Sequence, residues 1–213
     1  MSYAQFIFPG IMGMAVLFSS IFGAMSIVWD REFGLLKEVL AAPIDRSTVA
    51  VGKALGGTSQ AMIQGLVLLL LAPVVGVRLS LLSIVELIPI TFALAFALSS
   101  MGVAIASRMR SMQGFQVVTN LIMMPMFFLS GALFPLRGLP GWMMVLTRLD
   151  PASYGMDPLR RVALAGLLPA EVRGSLGLTV FGRVLPIGVE LAVLLSFGLV
   201  MLGIAIRNFR IRD

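Results

Sequence analysis

FIFPGIMGMAVLFSSIFGAMSIVWDREFGLLKEVLAAPIDR, Phe6 to Arg46, sets an apolar run against a charged one. No charged residue precedes Asp30, seven fall between Trp29 and Arg46, and beyond Lys53 the chain turns apolar again. The first run is as long as the roughly 20 residues a helix needs to cross the hydrocarbon core. A chain of 213 residues that is 59% hydrophobic and 12% charged has too little charge to cover a soluble domain of that size. Its mean hydropathy of +1.01 agrees. The bilayer is therefore a large part of its solvent, and the charged segment joins two stretches of membrane.

Working outward, five spans are expected, at about 6–28, 54–77, 87–107, 112–136 and 184–206. They make an all-α integral membrane protein, one transmembrane domain over 1–213 with a loop at 29–53 and a long external segment at 137–183. Five spans put the termini on opposite sides. With the C-terminus in the cytoplasm, nine basic residues lie inside, crowded into short loops, and seven outside, six of them spread over 137–183. The formal charge of +6 thus reads as membrane topology, not as a nucleic-acid surface. No basic leader and cleavage site precede the first run, so it is not read as a signal peptide.

Cysteine and histidine are both absent. That removes disulfides, thiolate nucleophiles, histidine relays and Cys/His metal sites, and no paired acids suggest catalysis. The phosphate-binding pattern G-x-x-x-x-G-K-[ST] is also missing, because Ser47 and Ala54 flank Gly52-Lys53 where glycine and a hydroxyl are needed. The chain is expected to be neither an enzyme nor an ATP binder, and to hold no metal.

Wound as a helix, Phe33 to Ala42 gathers Phe33, Leu35, Leu36, Val39 and Leu40 on one side. Arg31, Lys37 and Glu38 fall opposite, and Glu32 intrudes on the apolar arc. Pro43 ends that helix, and Asp45 or Ser47 can cap the next. A short amphipathic helix tied to two spans either lies on the headgroups or receives a partner's force.

FPGIMGM at 8–14, REFGLLKEVLAAPIDR at 31–46 and Gly52-Lys53 resemble the permease of type-2 ATP-binding-cassette exporters, in its drug-resistance branch. LSGALFPLRGLPGW at 129–142 and DPASYGMDPLRR at 150–161 are similar to a second block of that family. The resemblance implies a six-span permease of which the five spans are the second to sixth, the first being absent. It implies a coupling helix on a separate ATPase, with Arg31, Glu32, Phe33, Gly34, Leu36, Lys37, Pro43 and Arg46 as its residues. It further implies re-entrant external helices that shape the exit and carry Pro135, Pro140, Trp142, Pro151, Tyr154, Asp157 and Arg160. The expected partners are an ATP-binding subunit, a second permease copy or paralogue, and the lipid bilayer of a prokaryotic cytoplasmic membrane, where the permease exports an amphiphilic small molecule. A lipid or glycan exporter, a carrier or channel, a membrane anchor and an inactive truncated copy are the alternatives.

Gln116 and Asn120 share a face of the fourth span, as Gln60 and Gln64 do on the second. Interhelical hydrogen bonds suit the second pair; for Gln116 and Asn120 the translocation path is an equal alternative, since the resemblance implies that this span borders it. Ser19, Ser20, Gly23 and Ala24 permit close helix packing. Glu190 is expected to reach the interface or to pair with Arg183. Asp157 and Arg160 are expected to form a weak surface pair, and Trp142 and Tyr154 to anchor at the interface.

Overall fold

The computed structural model describes residues 2–34, 45–77, 79–133, 140–167, 179–180 and 183–211. Among these lie eight helices: α1 (Tyr3–Gly23), α2 (Met25–Glu32), α3 (Arg46–Leu71), α4 (Leu81–Ala106), α5 (Met112–Leu129), α6 (Gly141–Leu149), α7 (Ser153–Ala163) and α8 (Ile187–Ile211). A 3-10 turn, Ala72–Val75, extends α3, and Thr179–Val180 pairs antiparallel with Arg183–Val184. Five helical stretches are long and apolar enough to cross a membrane: Tyr3–Glu32, Arg46–Val75, Leu81–Ala106, Met112–Leu129 and Ile187–Arg210. The protein is an all-α membrane protein with the five spans expected.

The spans run up and down between two ends, called here the Arg210 end and the Glu190 end. α4 is the axis, packed by α1, α3, α7 and α8. From Leu87 onward it carries no charge, which suits a stretch enclosed by other helices, and all 16 of its buried residues lie there. Small residues let the neighbours close on it. Gly102 lies against the backbone of Ile21, and Gly57 sits between Ser99 and Ser20. Gly23 meets Gly57, so the small-residue stripe of α1 serves contacts within the chain.

Several boundaries differ from the sequence expectation. The first helix runs on past Val28 through Trp29, Asp30, Arg31 and Glu32, with a single break at Ala24. The second begins at Arg46, capped by Asp45, whose carboxylate accepts from Ser47 N–H at 3.1 Å. Both flanks of the expected 29–53 loop are therefore helical. Positions 35–44, with Leu36, Lys37, Pro43 and most of the expected amphipathic helix, lie outside the described residues, as does Pro135. α5 stops at Leu129, short of 136. The apolar letters continue, but Gly131 adopts a positive φ of 76° that ends the helix. Ser130 and Ala132 in that turn are buried in protein, a setting in which non-helical backbone is tolerated at membrane depth.

α6 and α7 lie within the 137–183 segment. Trp142, Val145, Leu146 and Leu149 leave the apolar side of α6 exposed, whereas Leu159, Val162 and Ala163 bury that of α7. α7 sits deep: Met156 fills the space beside Gly13 of α1, and Gly155 rests on Leu94 of α4. Gly13 is ten residues into α1, about 15 Å along it at 1.5 Å per residue.

Candidate functional site

At the Arg210 end the charged flanks form a belt that ties helix ends together. Asp30 and Lys53 pair at 2.6 Å, joining α2 to α3. The Arg31 guanidinium donates to the carbonyls of Ala106 (3.4 Å), Ser107 (3.1 Å) and Met109 (2.6 Å). These are the carbonyls left over where α4 ends, at the negative pole of its dipole. Glu32 turns to the next helix, and its carboxylate accepts from the Met112 N–H, the first of α5, at 3.1 Å. An acid there meets the positive pole. Adjacent residues of opposite charge thus read the two ends of one short turn, 107–111, between the third and fourth spans.

Phe33 and Gly34 end α2. Gly34 takes a positive φ of 82°, and its N–H returns to the Arg31 carbonyl at 3.2 Å, so glycine suits this stop for its backbone freedom. Phe33 stacks on Trp29 with ring centroids 5.5 Å apart, yet they remain 66% and 51% exposed. Arg46 donates to the Phe209 carbonyl at 3.3 Å, and Asp45 stands 4.0 Å from Arg210, fastening α3 to the end of α8. The backbone N–H and hydroxyl of Ser47 hold the Asp45 carboxyl below the usual carboxylate range. Asn208 donates to Ser107 at 2.9 Å and accepts from Arg108 at 3.4 Å, closing the belt.

The Glu190 end carries a second charged group, and here two expectations are corrected. Glu190 does not stand at the protein surface: it is fully buried and bonds Arg161 of α7. Arg161 also pairs with Asp157 at 3.1 Å and donates to the Leu185 carbonyl at 3.0 Å. Asp157 and Arg160, expected on the surface, are both buried. Arg160 donates to the Ala132 carbonyl at 2.7 Å and lies over the Phe6 ring, and burial lowers its pKa. α7 has an apolar side, so its insertion takes the charged side into the bundle, where each charge needs a partner.

Asp150 opens α7 after Leu149, accepting from the Ala152 N–H (2.9 Å) and the Ser153 hydroxyl (3.2 Å). Burial pushes its carboxyl up to about 7 against those two bonds. Pro151 follows it in the turn, and Pro140 precedes α6 as its N-cap. Tyr154 donates to the Arg148 carbonyl at 2.8 Å, while Trp142 stands 67% exposed.

Gln116 and Asn120 lie on the open side of α5, beside Val117 (62% exposed) and Leu121 (74%). α5 buries only Phe115, Thr119, Met123, Met126 and Phe127 of its 18 residues. Among the described residues neither amide side chain finds a partner, nor do Gln60 and Gln64 on the open face of α3. Among the described residues no cluster of acids could hold a metal ion.

Residues 1–164 match the family model described as ABC-2 type transporter. The chain is 32% identical over 171 residues to the putative transport permease ycf38 of Porphyra purpurea, covering 76% of this chain and 56% of that protein. It is 26% identical over 161 residues to ycf38 of Cyanophora paradoxa, covering 75% and 56%. A third relative is the probable doxorubicin resistance ABC transporter permease protein DrrC of Mycobacterium tuberculosis, 26% identical over 167 residues, covering 76% and 59%. The chain thus spans between half and two thirds of the length of these relatives.

Proposed function

Because the chain belongs to the ABC-2 type transporter family, we propose that it is the membrane subunit of an ATP-driven exporter. A separate ATPase binds and hydrolyses ATP and docks on the Arg210 end, which faces the cytoplasm of a prokaryotic cell. The observation that carries this is the exposed Trp29–Phe33 pair standing beside the charged belt. Aromatic rings rimmed by fixed charges suit a protein partner, and the belt beneath links that spot to α3, α4, α5 and α8.

Two copies, or this chain and a paralogue, enclose the path, with Gln116 and Asn120 supplying polar groups along it. ATP-driven closure of the motors shifts a two-state equilibrium between inward and outward opening. The cargo is an amphiphilic small molecule, consistent with the drug-resistance relative; a lipid or glycan is the alternative on the same scaffold. A gradient-driven carrier would leave an acid free to bind the ion at mid-membrane, but the buried acids Asp157 and Glu190 are both paired with Arg161.

The test is co-expression with an ATP-binding subunit and detergent-stable co-purification, with a Phe33→Asp/Leu36→Asp variant alongside. Retention by the wild type and loss in the variant support the proposal. A wild type that holds no ATPase contradicts it.

A further inference from the structure

We infer that Arg31 and Glu32 act as positioning residues that pass movement of the charged segment directly into α5. The inference deepens the proposed function and rests on it.

α5 is the span that packs least against the others, and it buries five of its 18 residues. Polar groups hold it at both ends. At its root, Glu32 accepts from the Met112 N–H while Arg31 holds the last carbonyls of α4 and the turn between. At its tip, the Ser153 hydroxyl, whose one proton is shared with Asp150, reaches the Leu129 carbonyl at 3.3 Å, and Arg160 donates to Ala132 just beyond. A thinly packed helix fixed at its ends moves as a rod when one end is displaced, whereas apolar packing along its length would spread the displacement through the bundle. Arg31 and Glu32 are the last two residues of the α2 helix, directly ahead of the segment proposed to carry the ATPase. A shift of α2 therefore reaches α5 through these two residues, beside the buried cluster that Ile27 and Val28 share with Phe115, and α5 presents Gln116 and Asn120 one and two turns above the clamp.

The chemistry separates this role from a charge contact with the ATPase. The Met112 N–H needs an acceptor oxygen at the reach of Glu32, not a negative charge. Glu32→Gln keeps that oxygen, and Glu32→Ala removes it. Met112→Pro removes the donor instead. Proline is tolerated at the first position of a helix, and Ser111, at φ −135° and ψ 146°, already has the extended backbone that a following proline imposes.

Three readouts are taken on the permease–ATPase complex: ATPase co-purification, ATP-dependent transport of a fluorescent amphiphile, and the mobility of a spin label at Val117→Cys, a position 62% exposed on α5. The label is unique because the sequence has no cysteine. The inference predicts wild-type behaviour for Glu32→Gln. Glu32→Ala and Met112→Pro keep the ATPase, lose about tenfold in transport, the upper size of one net hydrogen bond between neutral groups, and loosen the label. Combined, they cost no more than either alone. The inference is overturned if Glu32→Gln behaves like Glu32→Ala, if Glu32→Ala sheds the ATPase, or if the label is unchanged in Glu32→Ala and Met112→Pro. A wild type that fails to transport refutes the exporter function, while the label still decides whether the clamp holds α5.

Discussion

Replacing Arg161 with methionine gives the sharpest test of how α7 is held in the bundle. Methionine keeps most of the apolar stem and removes the guanidinium. That strands Glu190, whose side chain is 0% exposed, and Asp157, at 2%, and deletes the donor to the Leu185 carbonyl. Breaking one partner out of a buried ion pair costs about 3–5 kcal/mol. Arg161 is itself 13% exposed, so some water already reaches it and the lower end applies, about 3 kcal/mol. For a chain of this size each kcal/mol moves the melting temperature by about 2–4 °C, so Arg161→Met should melt about 6–12 °C below wild type. Glu190→Gln leaves the Arg161–Asp157 pair intact and should cost less, about 1–3 kcal/mol. The double variant should be more stable than the sum of the two single costs implies, since the pair is counted once. Tryptophan fluorescence melts of detergent-solubilised protein give all four values. An Arg161→Met melt within about 2 °C of wild type, or strictly additive costs, would refute the buried-anchor account.

Three further outcomes follow from the same structure. Gly102→Ala forces a Cβ to within 2.9 Å of the Ile21 carbonyl oxygen and should destabilise by about 1–3 kcal/mol. Gly203→Ala meets nothing and should gain up to about 1 kcal/mol of helix propensity; paired melts check both. Burial raises the folded-state pKa of Asp150 to about 7, so the folded state binds the extra proton, and stability should fall as pH rises from about 4 to about 7. Asp150→Asn should flatten that slope in melts run across the range. Finally, single cysteines at Leu149, 75% exposed, and Arg210 should react with a membrane-impermeant maleimide in intact cells only at Leu149, with Arg210 reacting after lysis.

The spans were legible because length and hydropathy suffice to mark a membrane helix, and the Asp45 cap was legible because capping is local. What escaped was non-local or a matter of backbone conformation. α5 reads as apolar beyond Leu129, and nothing in those letters reports that Gly131 turns to positive φ. Asp157, Arg160 and Arg161 crowd a short helix, a pattern that reads as surface until the bundle closes round it. Glu190 finds its partner 29 residues away, and Arg31 and Glu32 find theirs 75 to 80 away. Spacing rules reach three or four residues along a helix and cannot register such pairs. The motif around Glu32 and Gly34 marked the segment, while the structure added what those residues hold within the chain.

The most direct test of the exporter account is flux of a fluorescent amphiphile into inside-out vesicles containing this chain and its ATP-binding subunit. The account predicts accumulation that needs ATP hydrolysis and both proteins, and that persists when the proton gradient is collapsed. Accumulation driven by an ion gradient without ATP, or by this chain alone, would contradict it.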